Sequence, residues 1–534
     1  MQSSQQVETD LDKVFNQYLN HNRKLWLEFS PPDHELSKKV IIADLMVESP
    51  GYLLGSCIVA KYLQKKTNAT IYGLVRRKTS LLALSVAHSF GIKNAIYKET
   101  QPNFEVDVDW DEMFAGKTIE QKRKIILDFK IDNVVIGDLA YDTYLRATGM
   151  GTIEEVNEEV INHILQTMRD YYFYSTISQQ LGAFASVQGH IVYSQYGALS
   201  RAIIKNGGTV YAKKPGTGPL TVRRYRDFEN LKKHEYTFSK AEFDHIYNNH
   251  KDEAIKFSEA FLLKKAPSLY TTHIKDGIEA YASDKKLYEK EELYEQLDLN
   301  PDYPCVFLMC HVFPDAVHNA VFRLYDDNLV WLRDTLELIK DIPNVNWIVK
   351  SHPHNVHYRS VHSATEEALA YVNEYSHIAN APEDINTASL FKIANAVITV
   401  GGSAGLEFPS VGVPAITTGS AFYTGLGFTI EPQSLDEYKK VLEDVPKLQR
   451  LTQEDREKAQ VCAYMYYLVS RAKSNLVPEL PGVFWKSRDD VEIWNEALAA
   501  IADFKFEDDP LYNSFNRQLD MDSDHLWNTD FIKE

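Results

Sequence analysis

The tetrapeptide Lys350-Ser351-His352-Pro353 is the first candidate for chemistry in the sequence, and it directly follows the apolar run 347–349. Proline lacks an N–H and restricts the preceding residue to extended geometry, so we expect Pro353 to end the strand and to hold His352 at its carboxyl end. An imidazole there can hydrogen-bond a phosphate or act on a leaving group. A turn histidine that caps the strand is the alternative, and the nearby Lys350 favours the functional interpretation.

A glycine turn in residues 399–407, Thr-Val-Gly-Gly-Ser-Ala-Gly-Leu-Glu, is the second candidate and has the pattern strand, turn, helix. Backbone N–H groups at a helix N-terminus attract anions, and Gly401 and Gly402 allow a phosphate to come close. Ser403 can cap the helix or donate to a phosphate oxygen, and Glu407 could accept from ribose hydroxyls. The alternative is a plain helix cap whose glycines permit close packing.

The same turn matches G-x-S-x-G, which would make Ser403 the nucleophile of a hydrolase. Such a triad needs an acid and then a histidine after the serine, and the only later histidine is His525 in the tail. We therefore favour anion binding over hydrolysis for this turn.

Two carboxylates and an arginine occur in the stretch 137–151 of the first half of the chain. Asp138 and Asp142 could serve as a base or a nucleophile at a cleft. Arg146 could pair with one of them or bind an acidic substrate. An Asp–Arg pair that staples a loop explains this spacing equally well.

Two further turns follow predicted strands at matching places in the two halves of the chain. In the second half His311 or Asp315 could face a cleft, and in the first half Glu48, beside Gly51, could supply a carboxylate on the acceptor side. Ordinary turn chemistry before a helix is the alternative for both. The turn in the first half of the chain, around Glu48 and Gly51, lacks G-x-G-x-x-G, which argues against a binding site for a nicotinamide or flavin dinucleotide.

A basic stretch, residues 212–226, contains five Lys and Arg side chains and no acidic one. It could hold phosphates of a lipid-linked acceptor or lie against an anionic membrane. A solvated flexible loop is the alternative.

The composition excludes several classes of protein. The 534 residues include 57 Lys and Arg against 75 Asp and Glu, a formal net charge of −18, which argues against non-specific binding of nucleic acid. The four cysteines form no C-x-x-C pair and H-E-x-x-H does not occur, so we expect neither a disulfide scaffold nor a metal site. The N-terminus lacks the pattern of a signal peptide, so we expect a cytoplasmic protein with at most peripheral contact with the inner membrane.

Short apolar runs alternate with helical patterns in two parts of the chain, which is typical of βαβ units and parallel sheets. The predicted strands are Val40–Ala43, Thr70–Val75, Ala95–Tyr97, Asn133–Ile136, Ile191–Tyr193 and Thr209–Tyr211, then Val306–Met309, Asn346–Val349, Val397–Val400 and Ala415–Thr417. Ligands of such sheets bind beyond the carboxyl ends of the strands, which is where the candidate residues fall.

The predicted fold is α/β, with two Rossmann-like, doubly wound lobes. We divide the chain into a lead-in (1–38), an N-terminal acceptor lobe (39–226), a helical linker (227–300), a C-terminal nucleotide-sugar lobe (301–480) and a helical tail (481–534). Two such lobes in one chain place a ligand cleft between them.

Four segments of the second half resemble the bacterial capsule polysaccharide biosynthesis family: residues 350–353, 401–407, 412–416 and 419–423. That family contains retaining β-Kdo transferases (Kdo is 3-deoxy-manno-oct-2-ulosonic acid). The resemblance implies a GT-B fold without a metal and with the nucleotide-sugar donor in the C-terminal lobe. It further implies that His352 and Ser403 contact the phosphate of a CMP-activated sugar.

The first half offers a shorter match. Residues 141–151 are similar to the family stretch Glu-Asp-Gly-Phe-x-Arg-Ser-x-Gly-Leu-Gly, with Asp142, Arg146, Gly149 and Gly151 in place. Tyr141 stands where the family has Glu, so the donor and the detailed chemistry stay open.

The resemblance implies a glycosyltransferase that moves a sugar from a nucleotide donor to a saccharide or lipid-linked acceptor, without a resident cofactor. Another GT-B enzyme, such as a polyol-phosphate polymerase or a nucleotide-sugar epimerase, is one alternative. A catalytically silent homologue that binds a glycan or a nucleotide is the other, and the exchange at Tyr141 keeps it open.

Overall fold

The computed structural model describes residues 9–102, 108–214, 219–263, 285–478 and 490–532. Its strands form one mainly parallel sheet in each half of the chain and a small hairpin. We call the first sheet with the elements packed on it the N lobe, and the second sheet with its elements the C lobe. The predicted α/β fold with two Rossmann-like, doubly wound lobes is confirmed.

The N-lobe sheet has the order β3-β2-β1-β6-β7-β8, in which only β8 is antiparallel. Its strands are β1 (Val40–Asp44), β2 (Thr70–Val75), β3 (Asn94–Tyr97), β6 (Ala183–Gln188), β7 (Thr209–Lys214) and β8 (Thr221–Tyr225). The hairpin consists of β4 (Lys130–Ile131) and β5 (Val134–Val135). Strands β2 and β6 pair with opposite edges of β1, so the strand order reverses between β1 and β6.

The C-lobe sheet repeats this plan with the all-parallel order β11-β10-β9-β12-β13. Its strands are β9 (Cys305–Met309), β10 (Asn346–Lys350), β11 (Ile378–Asn380), β12 (Ala396–Thr399) and β13 (Ala415–Thr417). The strand order reverses between β9 and β12, so a ligand is expected beyond the carboxyl ends of these two strands.

Helices cover both faces of each sheet, which explains why β1, β10 and β12 are buried along their whole length and read as continuous apolar runs. The α-helices within the described ranges are Asp10–Phe29, Pro50–Thr67, Leu81–Ser89, Trp110–Phe114, Ile119–Leu127, Gly137–Thr148, Glu158–Leu181, Ala198–Lys205, Phe228–Leu231, Lys240–Ser258, Lys290–Gln296, Asn328–Ile339, Ala364–Glu374, Thr387–Ile393, Ala404–Ser410, Leu435–Asp444, Gln453–Tyr464, Val491–Ala502 and Pro510–Asp520. None of them is long and apolar enough to cross a bilayer.

Two predicted strands do not belong to the N-lobe sheet: residues 133–136 contain the hairpin strand β5, and residues 191–193 form no strand. Residues 133–136 do not join the parallel sheet, because Asp132 and Asn133 take positive φ angles and turn the chain into the β4–β5 hairpin. Residues 191–193 lead into a π-helical turn that begins at Tyr193, and the sheet strand is instead Ala183–Gln188. In that strand Phe184 and Val187 are separated by Ala185 and Ser186, so its sequence has no run of large apolar side chains. Strands β8 and β11 were not predicted.

The first and last helices both pack on the N lobe. Trp26 of helix Asp10–Phe29 and Trp494, Leu511 and Phe515 of the last two helices belong to one buried cluster with residues of β1 and of helix Pro50–Thr67. The last two helices are therefore part of the N lobe, although the whole C lobe precedes them in the sequence, while Trp527 and Ile532 after them pack with C-lobe residues.

Candidate functional site

The strand reversal of the C-lobe sheet brings two predicted site segments together. His311, just beyond β9, accepts the backbone N–H of Gly401 at its Nε2 (3.3 Å), and the same nitrogen lies 3.0 Å from Thr399 Oγ1 at the end of β12. Burial, with Arg323 nearby, lowers the pKa of His311 to about 4. At neutral pH this imidazole is uncharged and fixed against the glycine turn.

His352 follows β10 directly, as predicted, and its Nδ1 accepts the backbone N–H of His354 (3.2 Å). Burial and the neighbouring His311, His354 and Lys350 lower the pKa of His352 to about 3. Lys350 is itself buried, which lowers its pKa to about 8. At neutral pH the site thus holds two uncharged imidazoles, His311 and His352, beside the Lys350 ammonium group, whose charged form burial makes less favourable.

The flanks of this histidine have structural roles. Pro353 opens the short 3-10 turn Pro353–Tyr358, and Ser351 Oγ lies 2.9 Å from Thr365 Oγ1. Both residues hold the segment after β10 in place rather than reach outward.

A pocket with about 330 Å³ of empty space opens at this edge of the C-lobe sheet. It is lined by His311, Val312, Asp315, His352, His354 and Tyr358. Three imidazoles, one carboxylate and one phenol therefore converge where the fold predicts a ligand.

The glycine turn lies beside this pocket. A side chain at Gly402 would be a tight fit, because a Cβ there would lie 3.3 Å from His311 Cε1. Its carbonyl accepts the hydroxyl of Tyr423 (2.7 Å), and a Cβ on Gly405 would lie 1.9 Å from that hydroxyl oxygen. Ser403 is exposed and makes no side-chain cap.

Glu407 points away from a ligand. It is buried, and its carboxylate accepts the hydroxyl of Tyr467 at 3.0 Å. One helical turn after Ser403, its side chain faces the interior of the C lobe, so the predicted contact with ribose is not supported by its position.

Asp138 is a structural residue. Its carboxylate accepts both terminal nitrogens of Arg201 (2.6 and 2.7 Å) and is buried. Burial raises the pKa of Asp138, but the charge of Arg201 outweighs it and the pKa lies below the ordinary value. Asp138 therefore forms an ion pair, but with Arg201 and not with the Arg146 that the sequence interpretation proposed.

Asp142 contacts the other lobe. Its carboxylate accepts the backbone N–H (3.2 Å) and Nδ1 (2.7 Å) of His318, which belongs to the loop after β9. Asp142 is 3% exposed and does not line the pocket. The predicted base or nucleophile is thus placed in a buried contact between the lobes.

Two N-lobe side chains touch the rim of the pocket. The guanidinium of Arg146 lies 4.4 Å above the ring of Tyr358, and the hydroxyl of Tyr193 donates to Asp315 (2.7 Å). Arg146 is exposed and pairs with neither Asp138 nor Asp142 in the described part of the chain. The pocket is therefore closed from one side by the N lobe.

The predicted acceptor-side turn has ordinary turn chemistry. Glu48 is exposed and accepts the hydroxyl of Ser80 (2.7 Å), while Gly51 is buried in the first turn of helix Pro50–Thr67. Neither contacts the pocket.

The five cations of the basic stretch all make contacts within the chain, although Arg226 is exposed, and these contacts give no support for a role in membrane or phosphate binding. Lys213 is fully buried, and Lys214 pairs with Glu235 (3.0 Å). Arg224 and Arg226 both pair with Asp522 (2.8 Å) in the tail. Arg223 is buried and donates to the carbonyls of residues 234 and 237. These charges hold the tail and residues 234–237 on β7 and β8.

Sequence reasoning missed four residues at the site: Tyr193, His318, His354 and Tyr358. The density of histidines at positions 352, 354, 357 and 362 was an available signal for His354. Tyr193 has a φ of +63°, which a sequence does not reveal in a bulky residue. Across the described ranges, no group of three His, Cys, Asp or Glu side chains is arranged to hold a metal ion.

Residues 334–467 match the family described as capsule polysaccharide biosynthesis protein. That range contains both the Lys350–Pro353 segment and the glycine turn, so the resemblance indicated by these motifs is confirmed for this part of the chain. No curated protein matches the chain.

Several solved structures are similar to the chain at low identity. The β-Kdo 2,4-transferase KpsC of Thermosulfurimonas dismutans is 15% identical over 59% of this chain and 88% of its own, with a TM-score of 0.34. The β-Kdo 2,7-transferase KpsC of that organism is 14% identical over 63% of this chain and 95% of its own, with a TM-score of 0.31. A UDP-GlcNAc 2-epimerase from Neisseria meningitidis bound to UDP-GlcNAc is 10% identical over 80% of this chain and 98% of its own, with a TM-score of 0.22.

Proposed function

We propose that this chain is a glycosyltransferase of surface-polysaccharide synthesis that binds a nucleotide sugar in the C-lobe pocket. The observation that carries the proposal is the pocket itself: three imidazoles meet a glycine turn where the strand order reverses. The family match over residues 334–467 supports the same class of function.

The pocket is suited to the phosphate of the donor. Burial leaves His352 uncharged at neutral pH, so it can take up a proton as the phosphate binds. Lys350, whose pKa of about 8 lies above neutral pH, can pair with the phosphate as an ammonium group. Groups placed in advance around a departing phosphate stabilise the charge that develops on it. The donor is a co-substrate here, and the proposal includes no resident cofactor.

Asp315 is the carboxylate that we assign to the reaction as base or nucleophile. It lines the pocket and is exposed, whereas Asp138 and Asp142 are buried in ion pairs. The hydroxyl of Tyr193 donates to one of its oxygens at 2.7 Å and holds the carboxylate at the rim of the pocket. The acceptor, a saccharide or a lipid-linked saccharide, would then approach from the N-lobe side, between Tyr193 and Tyr358.

Nucleotide binding tests the donor site. Titration calorimetry with CMP, CDP, UDP and GDP should show one preferred nucleotide for the unmodified chain. His352→Ala should weaken its binding about 30-fold, since a hydrogen bond to a charged group contributes roughly 2 kcal/mol. His362→Ala, which removes a C-lobe histidine paired with Glu367 outside the pocket lining, is the matched control and should bind normally.

The choice of nucleotide sharpens the function. Preference for CMP supports a Kdo-like donor, while preference for UDP or GDP retains the transferase and changes the sugar. An Asp315→Asn variant that binds the nucleotide but no longer releases it from the donor sugar supports the assigned role. Absence of binding to all four nucleotides would overturn the proposal and favour a silent binding protein.

A further inference from the structure

The loop after β9 belongs to the C lobe by sequence but is held by the N lobe. Val317 in this loop is 3% exposed and lies in the buried apolar cluster of the N lobe. The next residue, His318, bonds to Asp142 of helix Gly137–Thr148 through its backbone N–H and its Nδ1. Two consecutive residues therefore fasten the loop across the interface.

His318 lies between two carboxylates. Its Nδ1 is 2.7 Å from Asp142, and its Nε2 is 3.7 Å from Oδ1 of Asp327. Asp327 accepts the hydroxyls of Tyr141 (2.7 Å) and Thr152 (2.6 Å) at its other oxygen. In the described part of the chain, His318 Nε2 and Asp327 Oδ1 have no hydrogen-bond partner. A small closing movement would complete the chain from Asp142 to Asp327.

The same loop carries the pocket carboxylate. Asp315 precedes His318 by three residues, and Ala316 between them has a φ of +43°. Tyr193, which donates to Asp315 from the N lobe, also has a positive φ. Non-glycine residues in this region store strain that surrounding contacts must maintain, and such residues cluster at functional sites.

We propose that His318 is a positioning residue: clamped between Asp142 and Asp327, it fastens the loop to the N lobe and thereby fixes Asp315 at the pocket. This inference rests on the proposed function for the role of Asp315, while the clamp itself can be measured without any substrate.

The clamp depends on pH. Among the described residues, the charged or titratable groups that act on His318 are Asp142, Asp138 and Tyr141 of the N lobe and Asp327 and Arg323 of the C lobe. Burial lowers the pKa of His318, but the two carboxylates outweigh burial and Arg323, so the pKa lies above its ordinary value. A histidine whose pKa is raised by its contacts stabilises the state in which the loop is clamped to the N lobe. This stabilisation is present at low pH and is lost as the pH rises through the raised pKa.

Hydrogen exchange of the full chain, without ligand, tests the clamp. In the unmodified chain, peptides covering residues 311–323 should lose about tenfold of their protection between about pH 6 and about pH 9, after correction for intrinsic exchange. His318→Gln should have low protection at both pH values and no such dependence. His377→Gln, a buried C-lobe histidine bonded to the carbonyl of Ile339, is the control and should keep the dependence.

A milder variant guards against loss of folding. Tyr141→Phe removes only the hydroxyl that Asp327 accepts and should shift the pH midpoint without unfolding the loop. Unchanged protection and an unchanged pH dependence in both His318→Gln and Tyr141→Phe would overturn the proposal. A pH-dependent clamp in a chain that binds no nucleotide would keep His318 as an inter-lobe clamp and reject the proposed function alone.

Discussion

The two sheets reverse their strand order at equivalent places, yet one place is open and the other is filled. In the C lobe, Gly402 follows β12 beside His311, and a pocket opens there. In the N lobe, Gly189 follows β6, and the ring of Tyr52 covers it so closely that a Cβ would lie 2.2 Å from a ring carbon. Tyr52 also bonds to His190 (2.6 Å).

The filling of the N-lobe position continues below this ring. Lys213 is fully buried with its Nζ 4.3 Å from the centre of the Tyr52 ring, and Asp44 at the end of β1 is buried nearby. Burial lowers the pKa of Lys213 to about 7 and raises that of Asp44 to about 6. A shared topology thus marks where a ligand can bind, and the side chains at that place decide whether one does.

The largest expected effect comes from adding one methyl group at each place. Gly189→Ala should lower the free energy of unfolding by about 3 kcal/mol, because the buried Tyr52 ring must move. Gly402→Ala should cost about 1 kcal/mol, because its nearest contact, with Thr399 Oγ1, is 3.2 Å, but should abolish nucleotide binding. Chemical denaturation and calorimetry measure both. Equal losses of stability would contradict the contrast between a filled and an open position.

The next effect is the pH dependence of nucleotide binding at the C-lobe pocket. Burial and its neighbours hold the pKa of His352 at about 3, and a bound phosphate raises it. Nucleotide affinity should therefore rise as the pH falls, by up to about tenfold per pH unit for each proton taken up. His352→Ala shares the ionisation of the ligand and should lose this extra dependence. An identical pH profile in the variant would show that another group takes up the proton.

At the filled position of the N lobe, we expect the removal of the buried amine of Lys213 to raise the stability. Lys213→Met removes a buried amine whose Nζ has no hydrogen-bond partner within the described residues, so it should raise the free energy of unfolding by about 2 kcal/mol at neutral pH. Because burial lowers the pKa of Lys213 to about 7, the unmodified chain should lose stability as the pH falls from about 10 to 7, and the variant should not. A variant that is less stable at every pH would mean that the contact with Tyr52 outweighs the cost of burial.

The smallest effect is expected where the N lobe touches the open place. Tyr193→Phe removes the hydrogen bond to Asp315 and should cost about 1 kcal/mol. Asp315→Asn in the same background should add little, since the two groups form one pair. Thermal unfolding of the two single variants and the double variant measures this coupling, and strictly additive losses would show that the pair contributes nothing.

Much of the C-lobe site was predictable from the sequence, for a physical reason. Strands β9, β10 and β12 are buried on both faces, so they read as apolar runs, and the polar residues that follow them stand out. The segments around His352 and Gly402 were located in this way. Strand β6 was not predicted, because Ser186 and Gln188 interrupt its apolar residues and Ala183 and Ala185 are small.

The contacts between the lobes could not be predicted in this way. Asp142 and His318 are 176 residues apart in the chain, so nothing local connects them. The assignment of Asp142 as base or nucleophile followed its residue type, while its buried position depends on how the lobes meet. The strained backbone of Tyr193 likewise follows from tertiary contacts that hold an unfavourable φ.

The return of the chain to its first lobe has a consequence for synthesis. Trp494, Phe515 and Leu526 complete the buried cluster that begins with Trp26. The C lobe, in contrast, has its own buried clusters between residues 288 and 445. On the ribosome the sheet of the C lobe can pack before the last helices of the N lobe are made. The rest of the C lobe waits like the N lobe, because Phe422 shares a buried cluster with Trp527 of the tail.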